Sequence, residues 1–161
     1  MKDRVRESVF NLLGPAVKGK QAVDLFAGTG ALGLESLSRG ASRALFLEQH
    51  QPTAAVLREN IAVLGIADRA EVIVGNVFLR LRWQDRLGSD PWLVFVSPPW
   101  DFFVDRQPEM LELIGELWGR APAGSLFAVE SDVRFDPAVL PDAAGWDVRQ
   151  YPPAVVAIGE R

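Results

Sequence analysis

Apolar residues along the chain switch between two spacings. Val23, Leu25 and Phe26 make a short β-prone run, and Ala31, Leu32, Leu34 and Leu37 then recur at helical spacing. Further apolar runs near Ala44–Leu47, Glu71–Val74, Trp92–Val96, Ser125–Val129, Trp146–Arg149 and Ala154–Ile158 predict strands, with helices between most pairs. A leading helix is expected over Asp3–Leu13, stopped by Gly14 and Pro15. There is no internal repeat, low-complexity tract or long linker. The alternation predicts one doubly wound α/β domain over residues 1–161, with a mostly parallel, seven-stranded sheet and helices on both faces. Only a few residues, including Pro152 and Pro153, separate the last two strands. That is too short for a crossover helix, so the sheet is expected to end in a C-terminal antiparallel hairpin.

The break between the first strand and its helix falls at Gly28, Thr29 and Gly30. Glycine permits positive φ and lets a ligand reach the main chain without meeting a Cβ, while the amides opening the next helix offer donors. Such a turn predicts a cofactor pocket. Gly28–Gly33 also satisfies the G-x-G-x-x-G pattern of dinucleotide binding, with Glu48 at about the distance of a ribose-binding acid. Asp24 separates the cofactors. An acid inside an apolar strand needs a reason, and S-adenosylmethionine supplies one in its ammonium and sulfonium, whereas a nicotinamide dinucleotide brings a pyrophosphate. Asp24 therefore favours S-adenosylmethionine, the bland reading being an acid that caps the turn through local hydrogen bonds.

A second signal is the apolar run Leu93–Val96 entering Ser97-Pro98-Pro99-Trp100. In an open parallel sheet the carboxyl ends of strands carry the ligand site, so this turn and the glycine turn are expected to border one crevice. The prolines fix the backbone and leave only carbonyl acceptors, the Ser97 hydroxyl stands beside them, and Trp100 offers an aromatic face. That set can hold a planar amine. An ordinary proline-rich loop with Trp100 in the core is the competing reading.

Charge and composition narrow the partners. A net charge of −4 provides no global basic field, so nucleic-acid contact requires a local patch or a larger assembly. Without cysteine, thiolate chemistry, disulfides and cysteine metal sites are excluded, and the single His50, expected in a solvated loop, leaves little for a histidine triad or metal centre. No run of eighteen apolar residues exists and the start is charged, so no membrane partner is expected and a cytoplasmic location is.

These residues together resemble the RsmD-like family of S-adenosylmethionine-dependent methyltransferases, which modify the guanine N2 amine of small-subunit ribosomal RNA. The resemblance rests on Asp3-Arg4-Val5-Arg6-Glu7-Ser8 with Phe10 and Asn11, on AVDLFAGTGALGLESLSRGA from Ala22, on Leu45-Phe46-Leu47-Glu48, on Asn60 and on Pro98-Pro99. It implies a Rossmann-like fold in which Asp24, Phe26, Gly28, Thr29 and Gly30 shape the methionine end of the cofactor, Glu48 accepts from the ribose, and Asn76 with Val77 meets the adenine. It implies a catalytic turn at Ser97, Pro98, Pro99 and Trp100, where Ser97 and the Pro98 carbonyl accept from the amine and Trp100 stacks on the base. No metal is required.

The chain departs from the family at Ser97 and Trp100, where Asp and Tyr are usual, and at Asn76, where an aspartate is common. The family's short β-rich arm precedes its first helix; only Met1 and Lys2 stand there, so no separate N-terminal RNA-binding arm is expected. Arg4 and Arg6 are the substrate-binding candidates, Arg6 with Glu7 reading equally as a lid or a surface ion pair. Lys18, Lys20, Arg80, Arg82 and Arg86 around Trp83 are further basic candidates for RNA, or a solvated charged face. The expected partner is ribosomal RNA within a small-subunit particle, the protein acting as a monomer. Two rivals stand beside this reading: an enzyme of cytosine N4 or adenine N6 in RNA or DNA, because of Ser97, and a non-catalytic cofactor-binding or RNA-assembly module. A nicotinamide enzyme is weaker, since no second mononucleotide half follows.

Overall fold

Alternation along the strands puts two separate cores on the two faces of one sheet. A computed structural model describes residues 1–161. Its strands are β1 (Gln21–Asp24), β2 (Arg43–Glu48), β3 (Ala70–Val74), β4 (Trp92–Val96), β5 (Leu126–Asp132), β6 (Trp146–Tyr151) and β7 (Ala154–Glu160). Its helices are α1 (Asp3–Leu13), α2 (Ala31–Ser38), α3 (Gln51–Leu64), the short α4 (Phe102–Asp105) and α5 (Gln107–Arg120). Val23, Leu45, Leu47, Val94 and Val96 point to one face, where α5 covers them with Met110, Leu113, Ile114 and Leu117. Ala22, Ala44, Phe46, Leu93 and Phe95 point to the other, under Val9 and Phe10 of α1, Leu32 and Leu37 of α2, and Leu57 and Ile61 of α3. Shifting a strand by one residue would exchange these sets, so two buried faces fix the register.

The seven strands lie in the order β3-β2-β1-β4-β5-β7-β6. The first five pair in parallel, and β7 pairs antiparallel with both β5 and β6. The expected hairpin is present, with its second strand inserted between β5 and the first. Burial explains this order: β7 is apolar and buried over Ala154–Ala157, whereas β6 exposes Asp147–Gln150 and so takes the edge. The order reverses direction at β1 and β4, and the loops leaving their carboxyl ends diverge there. Such a switch point opens a crevice.

Candidate active site

Both expected turns leave neighbouring strand ends. Asp24 of β1 is registered with Phe95 of β4, and just beyond them the Leu25 N–H donates to the Phe95 carbonyl at 3.1 Å. On the other side the Ala27 N–H donates to the Leu47 carbonyl at 2.9 Å, so the glycine turn is tied to both adjacent strands before α2 begins. Gly28 has φ +57° and open space where a Cβ would stand. Gly30 has φ +96°, and a Cβ there would fall 2.2 Å from Leu57 Cδ1. The first glycine keeps a ligand face clear, and the second lets α3 pack against the turn.

A cleft of about 440 Å³ opens over this turn, lined among others by Phe26, Gly28, Glu48, Val77, Ser97 and Pro99. Glu48 closes one end. Its Oε2 accepts from the Gly28 N–H at 2.7 Å and its Oε1 from the His50 N–H at 2.8 Å. The carboxylate therefore shapes the turn as well as facing the cleft. His50 is exposed, as expected, and stands immediately before α3, with its ring Nδ1 2.7 Å from the Thr53 hydroxyl rather than bonded to a helix amide.

Asp24 lies beneath the turn, 1% exposed, and is not part of the cleft lining. Its Oδ2 accepts from the Gly33 N–H at 3.3 Å in the first turn of α2, and its Oδ1 has no hydrogen-bond partner. Burial pushes its pKa up to about 7, with the amides of Gly33 and Phe26 opposing the shift. A local cap accounts for one oxygen only. The unpartnered oxygen fits a cationic ligand acting directly or through a bridging water.

The far wall comes from the loop after β3 and from α4. The Asn76 amide oxygen accepts from the Phe78 N–H at 2.9 Å, so this side chain braces its own turn, and Val77 with Phe78 lines the cleft in its place. Trp83 is 1% exposed and donates its indole N–H to the Val77 carbonyl at 3.0 Å. Phe102 stands edge-on to Phe26 with centroids 6.0 Å apart and lies 6.3 Å from Phe78. The Arg106 guanidinium sits 4.2 Å above the Phe78 ring. An apolar, aromatic slot of this kind accepts a planar heterocycle. Thr29 is exposed outside the lining, and its carbonyl accepts from Asn60 at 3.1 Å.

The Ser97–Trp100 turn divides two cavities. Ser97 and Pro99 face the cleft, Pro98 is buried, and Trp100 faces a second cavity of about 360 Å³ with Arg4, Glu130, Tyr151, Pro152 and Pro153. The Ser97 hydroxyl donates to Glu130 Oε2 across the turn. Arg4 thus lines the same cavity as Trp100. Arg6 instead pairs with Asp3 at 3.0 Å beside a polar hollow that includes Glu35 and Arg39.

Of the other basic candidates, Arg80 pairs with Glu112 and Glu116, and Arg86 with Glu71 and Asp85. The charge of these two is locally balanced, which favours the solvated-face reading for them, whereas Lys18 and Arg82 are exposed and form no ion pair. Phe78, Phe102 and Glu130 belong to the site region without having been singled out in the sequence. The aromatic pair follows two identified turns and was findable by proximity. Glu130 needed the register of β4 and β5.

Comparison with known proteins agrees with this geometry. The family model described as conserved hypothetical protein 95 matches residues 1–138. Ribosomal RNA small subunit methyltransferase D of Escherichia coli is 36% identical over 149 residues, covering 92% of this chain and 70% of the relative. The solved structure of yhhF from Escherichia coli, 33% identical, superposes with a TM-score of 0.79 over 100% of this chain and 87% of the other. The fold is shared with an RNA methyltransferase of Salinibacter ruber in complex with S-adenosyl-L-homocysteine, at 18% identity and a TM-score of 0.70, covering 99% of this chain and 92% of that one. With its crevice at the β1/β4 switch point and its matches along most of its length, the chain belongs to the conserved hypothetical protein 95 family, the RsmD-like S-adenosylmethionine-dependent methyltransferases.

Proposed function

We propose that this protein methylates the exocyclic N2 amine of a guanine in small-subunit ribosomal RNA, acting as a monomer in the cytoplasm on a small-subunit particle or assembly intermediate. The observation that carries the reading is the junction of the glycine turn and the Ser97–Trp100 turn on adjacent strand ends, with a cleft on one side and a second cavity on the other.

The residues present fit the cofactor. Asp24, with its unpartnered oxygen, answers the amino-acid ammonium; Phe26, Gly28 and Gly30 form the bare turn around the methionine end; Glu48 offers its remaining lone pairs to the ribose; Val77 and Phe78 flank the adenine. When bound, S-adenosylmethionine supplies an electrophilic methyl group on a cationic sulfur. Asn76 serves this site by holding the loop. Thr29 contributes through the backbone of the turn.

An exocyclic amine is a poor nucleophile because its lone pair is delocalised into the ring. Ser97 Oγ and the Pro98 carbonyl accept from its two N–H groups, which favours a more tetrahedral nitrogen, while Pro99 fixes the turn and Trp100 stacks on the base. The amine sheds its proton after alkylation, when it has become strongly acidic, so a hydroxyl at position 97 suffices without a strong base. A paired guanine must leave its stack to present N2, which suits a particle whose RNA is incompletely folded. Arg4, beside the second cavity, is placed to meet the phosphates that flank such a base; Arg6 is the outer member of that patch.

Incubation with tritiated S-adenosylmethionine and small-subunit particles tests the proposal. Label in the RNA is expected, and label only in protein, or none despite cofactor binding, contradicts it. Cytosine N4 or adenine N6 methylation is the second reading, kept by Ser97 in the place of the family's usual aspartate.

A further inference from the structure

We infer that Glu130 selects guanine, by accepting a hydrogen bond from the ring N1–H next to the amine that is methylated. The inference rests on the amine-methyltransferase reading and adds the residue that chooses the base.

The fold puts this carboxylate beside the reacting turn. Val96 of β4 is registered with Val129 of β5, so Ser97, just past the end of β4, comes alongside Glu130, which is still within β5 and paired with Val156 of β7. Glu130 is 2% exposed, and its Oε2 takes the Ser97 hydroxyl hydrogen. The Met1 amino group lies 3.6 Å from the same oxygen. Oε1 makes no hydrogen bond to the protein, yet it is not sealed in the interior, because Glu130 borders the second cavity with Trp100 and Tyr151. A carboxylate oxygen with no donor from the protein, at the edge of a cavity that Trp100 and Tyr151 border with Lys2 and Arg4, is open to a donor from the ligand.

Two acceptors then stand side by side. The Ser97 hydrogen is committed to Glu130, which leaves the Ser97 lone pairs to receive an amine N–H. Next to it, Glu130 Oε1 accepts a second donor. Guanine alone among the unmodified bases has a ring N–H adjacent to its exocyclic amine. In cytosine the atom beside the N4 amine is the N3 lone pair, and in adenine the atom beside the N6 amine is the N1 lone pair. Either would face a carboxylate oxygen with no hydrogen between them. A site built to receive a donor rejects a ligand that lacks it far more strongly than an apolar pocket rejects a change of shape.

The test uses an RNA carrying the methylated position, mapped first by digestion, with guanosine or 2-aminopurine riboside at that position. 2-Aminopurine keeps the amine and replaces the N1–H with a lone pair. The wild-type protein is expected to favour guanosine by ~10²-fold or more in kcat/KM. Glu130→Gln, whose amide can donate to that lone pair, is expected to shrink the ratio at least tenfold while cofactor affinity, read by calorimetry, stays within about twofold. A wild-type ratio near one overturns the inference, as does a Glu130→Gln protein that loses activity equally on both RNAs. If that variant fails to bind cofactor, the wild-type ratio decides. Label on cytosine or adenine overturns the function reading itself, and the digest distinguishes that failure from the others.

Discussion

Glu48 and Gly28, twenty residues apart in sequence, are joined by a 2.7 Å hydrogen bond from the glycine N–H to the carboxylate, so the end of β2 holds the turn after β1 in shape. The other oxygen holds the His50 N–H at 2.8 Å. Replacing Glu48 with Ala removes both charge-assisted bonds, and the protein is expected to lose ~1–3 kcal/mol of stability together with at least tenfold in S-adenosylmethionine affinity. Glu48→Gln keeps an acceptor oxygen and is expected to fall between. Thermal unfolding and calorimetric titration of the three proteins check the order; unchanged affinity in the Ala variant would remove Glu48 from the site.

Asp24 couples the cofactor site to pH. Burial raises its pKa from 3.8 to about 7, so the unliganded fold prefers the protonated acid. The stability linked to that preference is present below the ordinary carboxylate range and is lost as pH rises through about 7. Asp24→Asn removes the loss, and at pH 8 the unliganded variant is expected to unfold at a higher temperature relative to wild type than it does at pH 5. Cofactor binding has the opposite sign. A cationic ligand favours the ionised form, so wild-type affinity is expected to rise from pH 6 to pH 8, and the part of that rise due to Asp24 to vanish in the Asn variant. Parallel pH profiles for the two proteins would refute the coupling.

The two glycines of the turn are expected to fail differently. Gly30→Ala places a Cβ against Leu57 at positive φ, costing ~1–3 kcal/mol of stability. Gly28→Val has open space and meets mainly backbone strain, but its side chain enters the cleft lining. It is expected to abolish detectable cofactor binding with a smaller loss in unfolding temperature than Gly30→Ala. Measuring both properties on both variants separates the roles.

Trp100 lies across the turn from the cofactor cleft. Trp100→Ala is expected to bind S-adenosylmethionine within about twofold of wild type and to lose ~10–10²-fold in kcat/KM toward RNA, the amount one stacking contact is worth. Equal losses in binding and transfer would contradict this division.

Local signals were the legible ones. The helix over Asp3–Leu13 and the strand over Trp92–Val96 have the boundaries that their patterns predict, and the glycine turn follows β1 as read. The position of β7 between β5 and β6 was hidden because the sequence shows that a hairpin forms, not which of its strands the sheet accepts; relative burial decides it. Glu130 was hidden in the apolar run of β5, where only the pairing with β4 reveals that it meets Ser97. Arg80 and Arg86 looked like a basic patch because their partners, Glu112 and Glu71, lie far along the chain. The sequence marks Asn76 as an adenine contact; it does not show that the same oxygen also accepts from the Phe78 N–H two residues on, the short-range bond that asparagine makes in turns.

The most direct test of the account is the identity of the nucleoside produced. Small-subunit particles from cells lacking this methyltransferase would be incubated with the protein and labelled S-adenosylmethionine, and the RNA digested to nucleosides for mass analysis. The account predicts that the label appears as N2-methylguanosine. Label on another base, or cofactor binding with no labelled nucleoside, would contradict it.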